Sequence, residues 1–212
     1  MFFHAIIIPV LNSVKPDGKF KVPNGEVMLD WARWIVGGAC FSEDILNECA
    51  NGPVSAFTTK WPDFLQDSLD PKSVAKVSRA ASKKTPERIY QVHLLGLFHT
   101  LQLKGWDIAI EPKAGTGYID VCLISKKKQI AVIIEIKSSE TEGQIEKDAD
   151  KALQQIIDKN YRNREGLSGI RILREYGIAS YRLMSFAKGR YLELNEGKWV
   201  EKDDPAKAQA WL

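Results

Sequence analysis

Nothing in this 212-residue sequence approaches the length of a membrane span: no apolar run nears the ~20 residues a bilayer requires. Cysteine is scarce, and the three that occur, Cys40, Cys49 and Cys122, are odd in number and widely spaced. That excludes both a disulfide framework and the paired spacing of a zinc module, and it points to a reducing, intracellular compartment, cytoplasm or nucleus being left open. A secretory leader is not expected either. The apolar stretch Ala5 to Leu11 has only a strand's length and lacks a charged flank and a small-residue cleavage site. No Gly-rich phosphate loop ending in Gly-Lys-Ser/Thr occurs, so a nucleotide-hydrolysing core is absent from the sequence. Charge of one sign is also lacking. The 30 Lys and Arg against 27 Asp and Glu leave +3, too little for a polybasic protein, although a local basic surface remains open. There are no internal repeats.

What is present has two textures. Residues 1–84 read as an N-terminal extension: the apolar strand, a turn at Lys15-Pro16-Asp17-Gly18, then helical patterns over Glu26 to Val36, Ser42 to Ala50 and Val54 to Leu69. Pro62 should interrupt the last of these. The linker Ser73 to Lys84, basic and free of acids, reads either as a solvated helix or as a nucleic-acid-facing segment. Residues 85–200 read as an α/β core and 201–212 as a tail. Thr85-Pro86-Glu87 starts a helix that Gly105 stops, with Tyr90, Leu94, Leu97, Phe98 and Leu101 at helical spacing. Trp106 to Ile110, Tyr118 to Ile124 and Ile130 to Lys137 read as strands, the last two forming a hairpin, with Lys113 to Gly117 as a turn. Glu142 to Tyr161 is an amphipathic helix with Ile145, Ala149, Ala152, Leu153, Ile156 and Ile157 on its apolar side. Tyr176 to Leu183 and Lys188 to Leu194 complete the series as two further strands. This order predicts an α/β sandwich around a mixed sheet.

The hairpin carries the chemistry. With Lys127-Lys128 at its tip, paired residues sum to 255, which sets Asp120 opposite Glu135, Cys122 opposite Ile133 and Ile124 opposite Ala131. Lys137 shares the face of Asp120 and Glu135, while Ile119, Val121 and Leu123 should join Ile130, Val132, Ile134 and Ile136 on the other. Two facing carboxylates repel. A divalent cation offsets that repulsion, and hard oxygen ligands suit Mg²⁺ or Mn²⁺. Lys137 would then position an attacking water and stabilise charge developing on a phosphoryl oxygen. Spacing alone leaves a second reading open, in which the three residues are the solvated face of an edge hairpin.

Gly117-Tyr118-Ile119-Asp120 followed about fifteen residues later by Glu135-Ile136-Lys137 resembles the D-(x)n-ExK core of the PD-(D/E)xK nuclease superfamily. Several segments resemble the branch of it associated with AAA-ATPase-like domains. They are Val22-Pro23-Asn24-Gly25-Glu26-Val27, the helix Tyr90 to Leu97, Ala152-Leu153-Gln154-Gln155-Ile156 with Lys159 and Tyr161, and Phe186-Ala187-Lys188. The resemblance spans about residues 20–195. It implies a restriction-endonuclease-like α/β/α sandwich with a mixed central sheet, preceded by the mainly helical extension. It implies Asp120 and Glu135 as metal ligands, Lys137 as the catalytic lysine, and Gln155 as a helix-borne residue pointing into the site. Glu111 stands where the family has an acid, either a third ligand or a solvated charge. The implied substrate is nucleic acid, DNA favoured over RNA; the alternative is a catalytically silent module that binds nucleic acid or a protein. An ATPase-like domain or partner is also implied, with this chain as a piece of a longer protein or a stand-alone remnant. Tyr118 departs from the branch, which has arginine there, and Ile119 replaces the proline of the superfamily name.

The remaining candidates follow from charge. Residues 156–192 carry eight Lys or Arg against three acids, a net of +5. Arg162, Arg164, Arg171, Arg174, Lys188 and Arg190 therefore form the expected nucleic-acid-binding rim, joined by Tyr161 from the resemblance, with scattered solvated charges as the alternative. Glu87 reads as a helix-dipole partner and not a ligand, His93 as a core histidine, and Trp31, Trp34, Trp61 and Trp106 as core residues.

Overall fold

The computed structural model describes residues 43–69, 85–102 and 104–203. The expected strand Ala5 to Leu11, the helix Glu26 to Val36, the basic linker Ser73 to Lys84, Trp31 and Trp34 all lie outside the described residues. In chain order the helices are α1 (Glu43–Asn51), α2 (Val54–Ser68), α3 (Thr85–Gln102) and α4 (Ile145–Asp158). The strands are β1 (Asp107–Ile110), β2 (Lys113–Ala114), β3 (Gly117–Tyr118), β4 (Val121–Ser125), β5 (Ile130–Ser138), β6 (Ile172–Tyr181), β7 (Met184–Asn195) and β8 (Lys198–Lys202).

Six strands form one mixed sheet in the order β1-β4-β5-β6-β7-β8, while β2 and β3 make a separate ribbon. Among the described strands only the β5–β6 pairing is parallel, and α4 is the crossover that a parallel connection needs. The run Ile130 to Ile136 is buried throughout because β5 is covered on both faces. On one face Val121, Leu123, Val132, Ile134 and Ile136 join Leu94, Phe98 and Trp61 from α3 and α2. On the other, Cys122, Ile124, Ala131 and Ile133 join Ile156 of α4 together with Tyr161 and Leu173. The result is helices on both sides of a mixed sheet, an α/β/α sandwich. No helix among the described residues is long and apolar enough to cross a membrane.

The hairpin register is as the side-chain pattern requires: Cys122 pairs with Ile133 and Ile124 with Ala131. Ser125 and Ile130 close the ladder, so the connection is the four residues Lys126 to Gln129, with Gln129 at φ +57. Three expectations need correction. Pro62 does not break α2, because Phe57, Trp61 and Leu65 on either side of it are buried. Burying each such side chain stabilises by roughly 1.5–3 kcal/mol, against about 3 for an interior proline. Tyr118 to Ile124 is not one strand. The chain bends at Ile119-Asp120, and Ile119 rotates out of the face of Val121 into the cluster of Tyr161. Ile157, expected on the apolar side of its helix, is 37% exposed.

β8 was not expected from the sequence. It follows the two-residue loop Glu196-Gly197, whose φ values of 48 and 77 suit a tight hairpin turn.

Candidate active site

The bend before β4 places Asp120 where two elements hold it. Its Oδ2 accepts the Ile136 N–H at 2.7 Å, and its backbone carbonyl accepts the Glu111 N–H and the Gln91 amide, each at 3.2 Å. Glu135, near the end of β5, is 2% exposed. Period-two alternation puts Lys137 beside it, with Nζ 3.2 Å from Glu135 Oε1. From across the crossover, α4 lowers Gln155 onto the same oxygen, and the Gln155 amide also donates to the Tyr161 hydroxyl at 3.2 Å. Asp120, Glu135, Lys137 and Gln155 are thus brought together, with Tyr161, itself 1% exposed, behind Gln155.

The electrostatics of the pair are unusual. Burial pushes the Glu135 carboxyl up to about 8, the Asp120 charge adding to the shift and Lys137 and the Asp120 backbone N–H opposing it. Burial likewise raises Asp120 to about 6, opposed by the Ile136 N–H and Lys137 and assisted by Glu87 and Glu111. Glu135 Oε1 has two donors, whereas Glu135 Oε2 is buried with no hydrogen-bond partner among the described residues. A buried carboxylate oxygen without a donor is costly. A cation beside Asp120 and Glu135 would satisfy it, and two carboxylates with remaining positions left to water suit Mg²⁺ or Mn²⁺.

Other expected residues fall differently. Among the described residues no group of three or more His, Cys, Asp or Glu side chains gathers to hold a metal, so Glu111 does not complete a triad. It is exposed, at φ +47. Glu87, read from sequence only as a helix-dipole partner, reaches the site instead: its Oε1 accepts the Ser138 N–H at 3.4 Å. Nothing in the sequence showed that the first turn of α3 abuts the end of β5.

Most of the expected basic rim is engaged elsewhere. Arg162 clasps the fully buried Glu175 through two bonds of 2.6 and 2.8 Å. Arg190 flanks the same carboxylate at 3.4 Å and donates to the Leu153 carbonyl. Arg164 donates to Cys122 Sγ, and Lys188 pairs with Asp150 and Glu146. Arg174 is 3% exposed and donates to the carbonyls of Ala50, Asn51 and Gly52 at the end of α1, so it is a helix cap rather than a surface contact. Arg171 is exposed. Charge counting missed this because it cannot see that Glu175 of β6 is fully buried and draws Arg162 and Arg190 to itself.

Residues 85–182 match the family model described as the PD-(D/E)XK nuclease superfamily. This segment belongs to that superfamily. The match contains the whole constellation, from Glu87 through Asp120, Glu135 and Lys137 to Gln155 and Tyr161, and the mixed sheet with flanking helices is its restriction-endonuclease-like fold. No curated protein matches the chain.

Proposed function

We propose that this protein is a Mg²⁺- or Mn²⁺-dependent nuclease that hydrolyses phosphodiester bonds in DNA. The observation that carries the reading is Glu135 Oε2, a buried carboxylate oxygen beside Asp120 that meets no hydrogen bond of normal geometry among the described residues. Asp120 and Glu135 would hold the cation, whose chemistry is to polarise a phosphoryl oxygen and acidify a bound water. Lys137, held against Glu135 Oε1, presents a fixed positive charge where charge develops on the phosphoryl group. Gln155 keeps Glu135 from turning away, and Tyr161 keeps Gln155 in place. Hydrolysis adds the oxygen of a water to phosphorus and breaks one P–O ester bond, leaving a phosphate and a hydroxyl terminus. The ATPase-associated branch would add an ATPase-like domain or partner. That part rests on the resemblance of the segments Val22 to Val27, Tyr90 to Leu97, Ala152 to Tyr161 and Phe186 to Lys188.

The test is incubation of the purified protein with plasmid and with single-stranded DNA in Mg²⁺, Mn²⁺ or EDTA. Cleavage in either cation and none in EDTA is expected, with Lys137→Ala slower by about 10²–10³. Full cleavage in EDTA, or none in any cation, would overturn the assignment.

A further inference from the structure

Tyr118 is 61% exposed, against 42% for Met184, the next most exposed of the large hydrophobic side chains among the described residues. A single exposed aromatic is ordinary on a loose loop. This one is held out by a clamped ribbon. In β2–β3, Lys113 pairs with Tyr118 and Ala114 with Gly117. Gly115, at φ +50, lies so close to the end of α4 that a Cβ there would sit 2.0 Å from the Lys159 carbonyl oxygen. The Thr116 N–H donates to that carbonyl at 2.9 Å, the Gly115 N–H to Asn163, and the Ile119 N–H to Pro112. Ala114 and Ile119 point inward at 3% and 0% exposure, so the ribbon's inner side is anchored while Tyr118 faces outward.

Position gives the ring a use. Only Ile119 stands between Tyr118 and Asp120, so their Cα atoms are at most about 7 Å apart, and the bend there brings them closer. Exposed Lys113 stands directly across the ribbon, exposed Lys159 lies beneath its tip, and residues 112–118 contain no acid. An exposed ring flanked by ammonium groups fits a nucleobase stacked between charged backbone contacts. Bases inside a duplex offer no free face to such a ring, whereas unpaired bases do.

We infer that Tyr118 is a stacking platform for an unpaired base next to the site, which makes single-stranded or locally frayed DNA the preferred substrate. The substrate half of this inference rests on the nuclease reading; the binding half does not.

The experiment compares the parent with Tyr118→Ala, Tyr118→Phe and Tyr118→Trp, after melts confirm equal folding. Fluorescence anisotropy in Ca²⁺ measures affinity for a labelled single strand and for the same strand in duplex, and steady-state cleavage follows in Mg²⁺ or Mn²⁺. Tyr118→Ala should weaken single-strand binding about tenfold, leave duplex binding within about twofold, and raise KM on single strands without lowering kcat. Phe and Trp should retain parental affinity. The inference is overturned if the parent does not bind single strands, if the alanine variant binds them as the parent does, if it loses both forms equally, or if Phe fails as Ala does. Parental binding lost in Tyr118→Ala without any cleavage would sink the nuclease reading and its substrate while keeping the stacking. Cleavage with unaltered binding in Tyr118→Ala would do the reverse.

Discussion

Glu135 has one oxygen gripped by Lys137 and Gln155 and another with no hydrogen-bond partner among the described residues, and its burial beside Asp120 sets its titration. In the cation-free fold the carboxyl is raised from 4.5 to about 8, and Asp120 from 3.8 to about 6. Between the ordinary and the raised values the folded state binds more protons than the unfolded state, so stability falls as pH rises through that window. The cost is absent below about pH 4 and complete above about pH 8. Melting temperatures across this range should therefore decline more steeply for the parent than for Glu135→Gln, both in EDTA; parallel slopes would contradict the burial of an ionisable Glu135. Arg174 gives a second residue-scale prediction. Its guanidinium caps three carbonyls at the end of α1. Arg174→Ala should cost about 2–4 kcal/mol in urea denaturation, yet leave the salt dependence of DNA binding unchanged. A slope flattened by about one would return Arg174 to the phosphate-contacting set. Neither Arg174's burial nor the needs of Glu175 is legible from sequence, since both depend on partners that are far away along the chain.

At the scale of elements, legibility followed periodicity. The β4–β5 register could be read because a turn centred on Lys127-Lys128 fixes the sum of paired numbers at 255, and the four-residue connection keeps that centre. The same count set Asp120 opposite Glu135, but the ladder ends at Val121 and Ile134, so Asp120 lies just beyond it. Ile119 escaped because the bend at Ile119-Asp120 interrupts the period, and the same bend lets the Asp120 carboxylate meet the Ile136 N–H. The placement of α4 depends on a close approach that periodicity does not show. A Cβ on Gly177 of β6 would lie 2.3 Å from the Ala149 carbonyl oxygen and 2.5 Å from the Leu153 nitrogen, both backbone atoms. Gly177→Ala must push α4 off the sheet and carry Gln155 away from Glu135. A loss of about 1–3 kcal/mol is expected from the overpacking, together with slower cleavage under conditions where the variant remains folded. Unchanged stability would mean that α4 does not pack this closely.

Across the whole molecule, the sandwich was legible from the alternation of strand and helix patterns, and the D-(x)n-ExK resemblance pointed to the end of it where the proposed site lies. β8 was not legible: Lys-Trp-Val-Glu-Lys is short and mostly charged, and its place at the sheet edge is fixed by a two-residue turn rather than by an apolar run. The fold as a whole should respond to cations, because an ion that binds only the folded site stabilises it by about 2.7 kcal/mol at one hundred times Kd. Mg²⁺, Mn²⁺ or Ca²⁺ should raise the parent's melting temperature by several degrees. Asp120→Asn, having lost one like charge and one ligand together, should be at least as stable without cation and gain much less from it. Equal shifts in both proteins would remove Asp120 from the ligand set. The most direct measurement is single-turnover cleavage of single-stranded DNA by the parent and Glu135→Gln in Mn²⁺. The substitution keeps the side chain's shape and relieves a buried carboxyl, so the variant stays folded. The rate should fall by at least about 10²; a variant that cleaves as fast as the parent would contradict the assignment of this carboxylate pair as the catalytic centre.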